Sequence, residues 1–175
     1  MGMRATVAFV DTDKSVKLTS VQWSTRLDQT LGHMASEARK AGQDPAKVIA
    51  GLFRTVTSKW NHVSAIQISD EAPTDREIVM GHNVRVDFPQ KNEPQTRYAN
   101  RKSVDIYNYH LDGGSIGAIY DMSTPDIIEF FWEDYDYETG TDNGIKTRKC
   151  SIDSLANFYG NAFEKPQKLK KFSFR

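Results

Sequence analysis

Short runs of alternating β-branched and aromatic residues, separated by polar turn clusters, recur along most of this 175-residue chain. The first two runs, Arg4 to Val10 and Val16 to Trp23, flank the polar cluster Asp11 to Ser15 and predict a β-hairpin. Runs at Val63 to Ser69 and Asn83 to Phe88 predict two more strands. Because short polar turns join antiparallel neighbours, we expect a mainly antiparallel sheet.

Two segments after the first hairpin have helical spacing instead. The first predicted helix ends at Gly42, and Asp44 with Pro45 supplies an N-cap and a first-turn proline for a second helix that runs as far as Trp60. The apolar residues that define the two helices are Leu27, Leu31, Met34 and Ala38, then Val48, Ile49, Leu52, Phe53 and Val56.

The second half of the chain predicts two further hairpins. Val104 to His110 alternates, Leu111 to Gly114 contains the Asp-Gly signal of a tight turn, and Ser115 to Tyr120 would return. Gln90 to Lys102, before this hairpin, is polar and charged and predicts an exposed loop.

The last hairpin would consist of the strands Ile127 to Tyr137 and Ile145 to Cys150, joined by a turn at Thr139 to Gly144 that contains Asn143-Gly144. A short helix capped by Ser151 or Asp153 would follow, with Leu155, Ala156 and either Phe158 or Tyr159 on its apolar face.

This order of elements predicts an α+β fold, a mainly antiparallel sheet with two helices from the N-terminal half on one face and a short C-terminal helix. The other face would be partly wet and carry Asp and Tyr. We expect one domain over residues 1–164 and a basic, aromatic tail over 165–175. A single cysteine, no membrane-length apolar run and no secretory signal favour a cytosolic protein.

Charge is strongly segregated although the formal net charge is zero. Ser103 to Ile145 holds ten Asp or Glu, no Lys or Arg, and eight of the nineteen aromatic residues. Lys146 to Arg175 holds eight basic residues against Asp153 and Glu164. Such segregation bears on association with partners rather than on fold.

The acidic and aromatic character is densest in the predicted strand Ile127 to Tyr137. Phe131 would face away from Phe130 and Trp132, so one aromatic must lie off the main core. One interpretation is a strand buried on both faces near Phe130 and exposed near Asp136. The other is a surface that docks a basic protein or holds a small ligand. The residues predicted to bind that partner are Trp132, Asp134, Tyr135, Asp136, Tyr137 and Glu138.

Two alternative functions stay open. His110, Asp112 and Asp121 would flank one hairpin and could form the acid and base of a hydrolase or nuclease, although Asp112 also suits a turn and His110 a strand surface. The tail mixes cations with aromatics, which suits nucleic acid, a solvated terminus or docking on the acidic block. Its candidate nucleic-acid-binding residues are Lys168, Lys170, Lys171, Phe172 and Arg175.

No cofactor or metal site is predicted. Asp134, Asp136 and Glu138 resemble the start of a calcium loop, but the glycine and glutamate that such a loop requires later are absent. His33 and Glu37 are one helical turn apart without a second histidine nearby. Arg148 and Lys149 could lower the pKa of Cys150, although an inert thiol is the commoner outcome.

Three segments, Val21 to Trp23, Leu31 to Met34 with Glu37, and Asp44 to Leu52, resemble small uncharacterised proteins of bacteriophages and prophages. In those proteins a hairpin that ends in tryptophan leads into a Leu-Gly helix and then a proline-started one. Their Asp-Gly-Tyr run after the tryptophan is replaced here by Ser24 to Arg26. The resemblance implies an accessory protein in a bacterial host cytosol that blunts a host defence. No catalytic constellation accompanies it, so we expect a binding protein rather than an enzyme.

Overall fold

The structure of the protein is a computed structural model that describes residues 4–22, 26–91, 93–109 and 116–160. The strands in these residues are β1 (Arg4–Val10), β2 (Val16–Gln22), β3 (His62–Val63), β4 (Ala65–Ile68), β5 (Glu77–Val79), β6 (Val84–Asp87), β7 (Arg97–Tyr98), β8 (Ile116–Asp121), β9 (Ile127–Asp136) and β10 (Thr141–Ser151). The helices are α1 (Leu27–Lys40), α2 (Pro45–Val56) and α3 (Ile152–Tyr159). The predicted α+β class is confirmed, with a mostly antiparallel sheet and a short C-terminal helix.

The main sheet has the order β10-β9-β8-β1-β2-β3, and β7 pairs with β2 along the same edge as β3. The predicted β1–β2 hairpin is confirmed, with Val10 opposite Val16 and Arg4 opposite Gln22. Two pairs are parallel, β1 with β8 and β2 with β3. A smaller antiparallel sheet has the order β4-β6-β5.

Local capping chemistry defines the start of two helices. The side chain of Asp44 accepts a hydrogen bond from the Ala46 amide at 3.0 Å, and Pro45 begins α2. Helix α2 ends at Val56, four residues before the predicted end. Of the two predicted caps of α3, Ser151 is the one used, because its hydroxyl accepts from the Ser154 amide at 3.0 Å.

The main core lies between the large sheet and the helices. Alternate side chains of β1, β8 and β9 point towards the helices, and the ring of Tyr120 contacts those of Phe9 and Phe53. No helical residue joins the cluster on the opposite face of the sheet among the described residues. The three helices therefore cover one face, as predicted.

The opposite face carries a second apolar cluster, where we expected a partly wet surface. Its buried members are Ala8, Val10, Val16, Leu18, Ile106, Ile119 and Phe131. Segment 97–109 covers them, since Ile106 is buried and Tyr98, Val104, Tyr107 and Tyr109 pack around it. Glu129 secures this segment by accepting hydrogen bonds from the Tyr107 hydroxyl at 2.8 Å and Arg101 at 3.1 Å.

The predicted strand Val104 to His110 is wrong over residues 104–109, which form bends and turns. Its alternating apolar residues cover the sheet face and do not pair as a strand. Strand β8 therefore has no hairpin partner there and lies between β1 and β9 instead. The predicted turn Leu111 to Gly114 lies outside the described residues.

The last predicted hairpin is confirmed, but its turn is displaced. The chain reverses at residues 137–140, where Gly140 has φ +70°, and β10 begins at Thr141. Asn143-Gly144 is part of an irregularity between Asp142 and Ile145, beyond which the pairing with β9 is regular. The predicted exposed loop Gln90 to Lys102 contains β7 and a 3-10 turn at Arg101–Ser103.

Candidate functional site

Burial falls steadily along β9 towards the tip of the β9–β10 hairpin. Ile128, Phe130, Phe131 and Trp132 are buried, whereas residues 133–136 are half-buried. Phe130 belongs to the main core and Phe131 to the second cluster, so the two rings lie on opposite faces as predicted. Strand β9 is thus buried on both faces near Phe130 and opens towards solvent at its end.

An open groove of about 850 Å³ lies at this end of the hairpin. All six residues predicted to bind a partner line it, namely Trp132, Asp134, Tyr135, Asp136, Tyr137 and Glu138. Three residues of β10 complete the lining, Asn143, Lys146 and Thr147. We call these nine residues the acidic groove.

The β10 residues of the acidic groove were missed at the sequence level because their place depends on strand pairing. The register sets Lys146 opposite Trp132 and Thr147 opposite Phe131. The sequence shows that Lys146 follows an acidic segment. It does not show that the chain folds back and places this lysine next to that segment. Cross-strand register is the signal that would have located it.

The acidic side chains of the groove have different local roles. Asp136 accepts hydrogen bonds from the amides of Glu138 at 2.9 Å and Thr139 at 3.3 Å, so it holds the hairpin turn. Asp134 and Glu138 form no ion pair within the described residues. They are therefore the carboxylates most able to meet a ligand.

Among the aromatic residues of the groove, Tyr137 is the most accessible. The rings of Tyr135 and Tyr137 meet edge to face with centroids 4.8 Å apart, and Tyr137 is 72% exposed. Three carboxylates and one ammonium group line the groove, a formal balance of minus two. Carboxylates beside the electron-rich faces of tyrosine rings suit an ammonium or guanidinium group.

Of the alternative acid–base cluster, only Asp121 lies within the described residues. The carboxylate of Asp121 accepts hydrogen bonds from the amide and hydroxyl of Ser123, at 2.9 and 2.7 Å, and so fixes the turn after β8. His110 and Asp112 lie outside the described residues. The tail residues Lys168, Lys170, Lys171, Phe172 and Arg175 also lie outside them.

Cys150 is buried beneath the helices, at 6% exposure. Loss of solvation raises the pKa of the Cys150 thiol, Arg148 opposes this, and the negative charge of Asp28 adds to it. The thiol is therefore less acidic than an ordinary cysteine. A pKa lowered by Arg148 and Lys149, considered from the sequence, is wrong because burial outweighs the neighbouring cation.

A buried polar network at the start of α1 had no signal in the sequence. Asp28 and Tyr159 are fully buried, and the Tyr159 hydroxyl donates to Asp28 Oδ2. Arg26 donates to the same oxygen at 2.9 Å and to the tyrosine at 3.1 Å. Burial acts against the charge of Arg26, but the hydrogen bond and charge of Asp28 raise the pKa of Arg26 above its usual value. Asp28 Oδ1 has no hydrogen-bond partner.

His33 and His82 each have a local hydrogen-bond partner. A ring nitrogen of His33 lies 3.1 Å from the His82 carbonyl oxygen, and one of His82 lies 2.8 Å from Gln43. Within residues 4–22, 26–91, 93–109 and 116–160, no group of three or more His, Cys, Asp or Glu is placed to hold a metal ion.

None of the helices in those ranges is both long enough and apolar enough to cross a membrane.

Comparison of the chain with protein-family models, with curated proteins and with solved structures finds no match in any of the three. The acidic groove is therefore interpreted from its own chemistry.

Proposed function

We propose that this protein is a non-enzymatic binding protein whose acidic groove takes up a cationic segment of a partner protein or a small cationic ligand. One observation carries the proposal. Three carboxylates, two tyrosines and a tryptophan, all from residues 132–138, line a single groove large enough for a few side chains. Tyrosine and tryptophan are enriched where protein interfaces are buried, and carboxylates complement Lys and Arg.

The division of roles within the groove identifies the variant that tests this function. Asp134→Lys with Glu138→Lys reverses the two carboxylates that lack ion pairs and leaves Asp136 to hold the turn. The matched control is Glu71→Lys with Asp75→Lys, which makes the same charge change at exposed positions before β5. Both proteins should give the circular dichroism spectrum of the wild type.

Binding is measured by fluorescence anisotropy with a labelled peptide of alternating arginine and glycine, and spermidine is added as a competing small polycation. We expect the wild type and the control to bind the peptide, and the groove variant to bind at least about tenfold more weakly. Efficient displacement by spermidine at equal charge would favour a small ligand, and weak displacement a peptide. Equal binding by the groove variant and the control would contradict the proposal.

The biological setting we propose follows from the resemblance to bacteriophage and prophage proteins. In a bacterial host, this protein would inhibit a defence protein by binding to its cationic surface, and no catalysed reaction would be needed. Capture from host lysate with the wild type, the groove variant and the control would test this. A bacterial protein retained by the wild type and the control, and lost with the groove variant, is the expected outcome.

A further inference from the structure

Strand β10 is the outermost strand of the main sheet and pairs only with β9 among the described residues. Its pairing with β9 is regular over the seven residues Ile145 to Ser151, after the irregularity at Asp142 to Ile145. Apart from Ile145 and Cys150, the side chains of these seven residues are exposed. Alternate backbone amides and carbonyls of such a strand point away from the sheet and can pair with a further strand.

The charge of this edge restricts which strand can pair with it. Lys146, Arg148 and Lys149 lie within the seven residues, which contain no Asp or Glu. Lys146 and Arg148 lie on the helix side and Lys149 on the other side, because they are opposite Trp132, Phe130 and Glu129. Both faces of the edge are therefore positive.

The acidic residue nearest to Lys149 across the strands is already committed. Glu129 accepts hydrogen bonds from Tyr107 and Arg101. Lys146 and Lys149 form no ion pair within the described residues. An added strand with acidic side chains opposite these two lysines would supply the missing charge.

A second copy of this chain does not meet that requirement. Antiparallel pairing of β10 with itself centred on Thr147 sets Lys146 opposite Arg148. Pairing centred on Arg148 sets Arg148 opposite itself and Thr147 opposite Lys149. Like charges directly opposite each other destabilise a strand pair.

We infer that the β10 edge, residues Ile145 to Ser151, is a docking site for an extended acidic segment of a partner protein, which adds to the main sheet as a further antiparallel or parallel strand. Backbone hydrogen bonds supply the pairing and Lys146 with Lys149 selects acidic side chains. This surface is distinct from the acidic groove in charge and in mode of binding, although Lys146 belongs to both.

The probe is a labelled seven-residue peptide with glutamate at its second and fifth positions and valine elsewhere, because Lys146 and Lys149 are three residues apart and lie on opposite faces of the edge. Its controls are the same peptide with alternate amides N-methylated, which keeps the charge but removes donors along one edge, and the corresponding lysine-valine peptide. The lysine-valine peptide can enter the acidic groove, so any binding of it should leave residues 145–151 without new protection from hydrogen exchange. We expect the wild type not to bind the N-methylated peptide and to bind the unmodified acidic peptide. Hydrogen exchange should show new protection in residues 145–151 when that peptide is bound.

The protein variant is Lys146→Glu with Lys149→Glu, and its matched control is Lys47→Glu with Lys91→Glu at exposed positions away from β10. We expect the edge variant to bind the acidic peptide at least about tenfold more weakly and the control to bind as the wild type does. Lys146 also lines the acidic groove, so the single change Lys149→Glu separates the two surfaces. It should weaken binding of the acidic peptide and leave the affinity for the arginine-glycine peptide unchanged, which separates this inference from the function of the acidic groove.

Three outcomes would overturn the inference. The first is no binding of the acidic peptide by the wild type, and the second is equal binding of the N-methylated peptide, which would reduce the effect to charge alone. The third is a dimer in analytical ultracentrifugation that protects residues 145–151, because a second copy would then be the occupant.

Discussion

At the scale of single residues, a buried polar network joins the start of α1 to α3. Asp28 is fully buried, and one of its oxygens is bound by Tyr159 and Arg26 while the other has no partner. A buried carboxylate is costly unless its hydrogen bonds are made. Removal of either donor, Tyr159 or Arg26, should therefore lower the free energy of unfolding.

We predict that Tyr159→Phe lowers the free energy of unfolding by about 1.5–3 kcal/mol, the usual range for a hydrogen bond to a charged group. The matched change Tyr137→Phe, at a ring that is 72% exposed, should alter it by less than about 0.5 kcal/mol. Urea unfolding followed by circular dichroism measures both values. Similar losses in the two variants would show that the hydroxyl of Tyr159 contributes nothing particular.

At the scale of elements, α1 and α3 approach each other closely because α1 has a glycine at the contact. A Cβ atom at Gly32 would lie 2.7 Å from Tyr159 Cβ and 2.9 Å from the Leu155 carbonyl oxygen. Gly51 occupies a comparable interior position in α2, but a Cβ there would meet no atom within 4 Å. Alanine at Gly32 therefore changes both packing and helix propensity, whereas alanine at Gly51 changes helix propensity alone.

We predict that Gly32→Ala and Gly51→Ala change stability in opposite directions. Alanine at Gly32 should destabilise the protein by about 1–3 kcal/mol, because α3 must shift to admit the methyl group. Alanine at Gly51 should stabilise it by about 0.5–1 kcal/mol through helix propensity alone. The midpoints of urea unfolding of the two variants, compared with that of the wild type, test this prediction. Stabilisation by both would mean that α3 moves away without cost.

Elements defined by local chemistry could be predicted from the sequence. Asp44 with Pro45, and Ser151, mark helix starts because the capping interactions lie within three residues of the cap. Residues 104–109 could not be predicted in this way. Val104 and Ile106 alternate with polar residues whether they form a strand or cover a sheet face, and only the position of β8 next to β1 decides between the two.

The same limit applies to the acidic groove. Its residues in β9 and the following turn could be identified because acidic and aromatic residues are contiguous from Trp132 to Glu138. Lys146 and Thr147 enter through the register of β10, which in turn depends on the irregularity after Asp142. The sequence predicts a turn over Thr139 to Gly144, whereas the chain reverses at residues 137–140, so the register of β10 could not be read from the predicted turn.

At the scale of the whole molecule, the main sheet lies between two apolar clusters and contributes residues to both. Its strands send alternate residues to opposite sides, as with Val7 towards the helices and Ala8 towards segment 97–109. A strand cannot lose one set of contacts without disturbing the other. We therefore expect the described part of the chain to unfold as one cooperative unit.

Ile106→Ala tests this expectation. Ile106 is 3% exposed, and it is the residue of segment 97–109 that is buried in the second cluster. We predict a loss of about 2–5 kcal/mol in the free energy of unfolding, with coincident transitions by circular dichroism and tryptophan fluorescence. The control Ile78→Ala, at a side chain that is 44% exposed, should cost less than about 1 kcal/mol. Faster hydrogen exchange confined to residues 97–109, with little change in global stability, would instead mean that this segment opens on its own and that the sheet can keep its helix-side core without it.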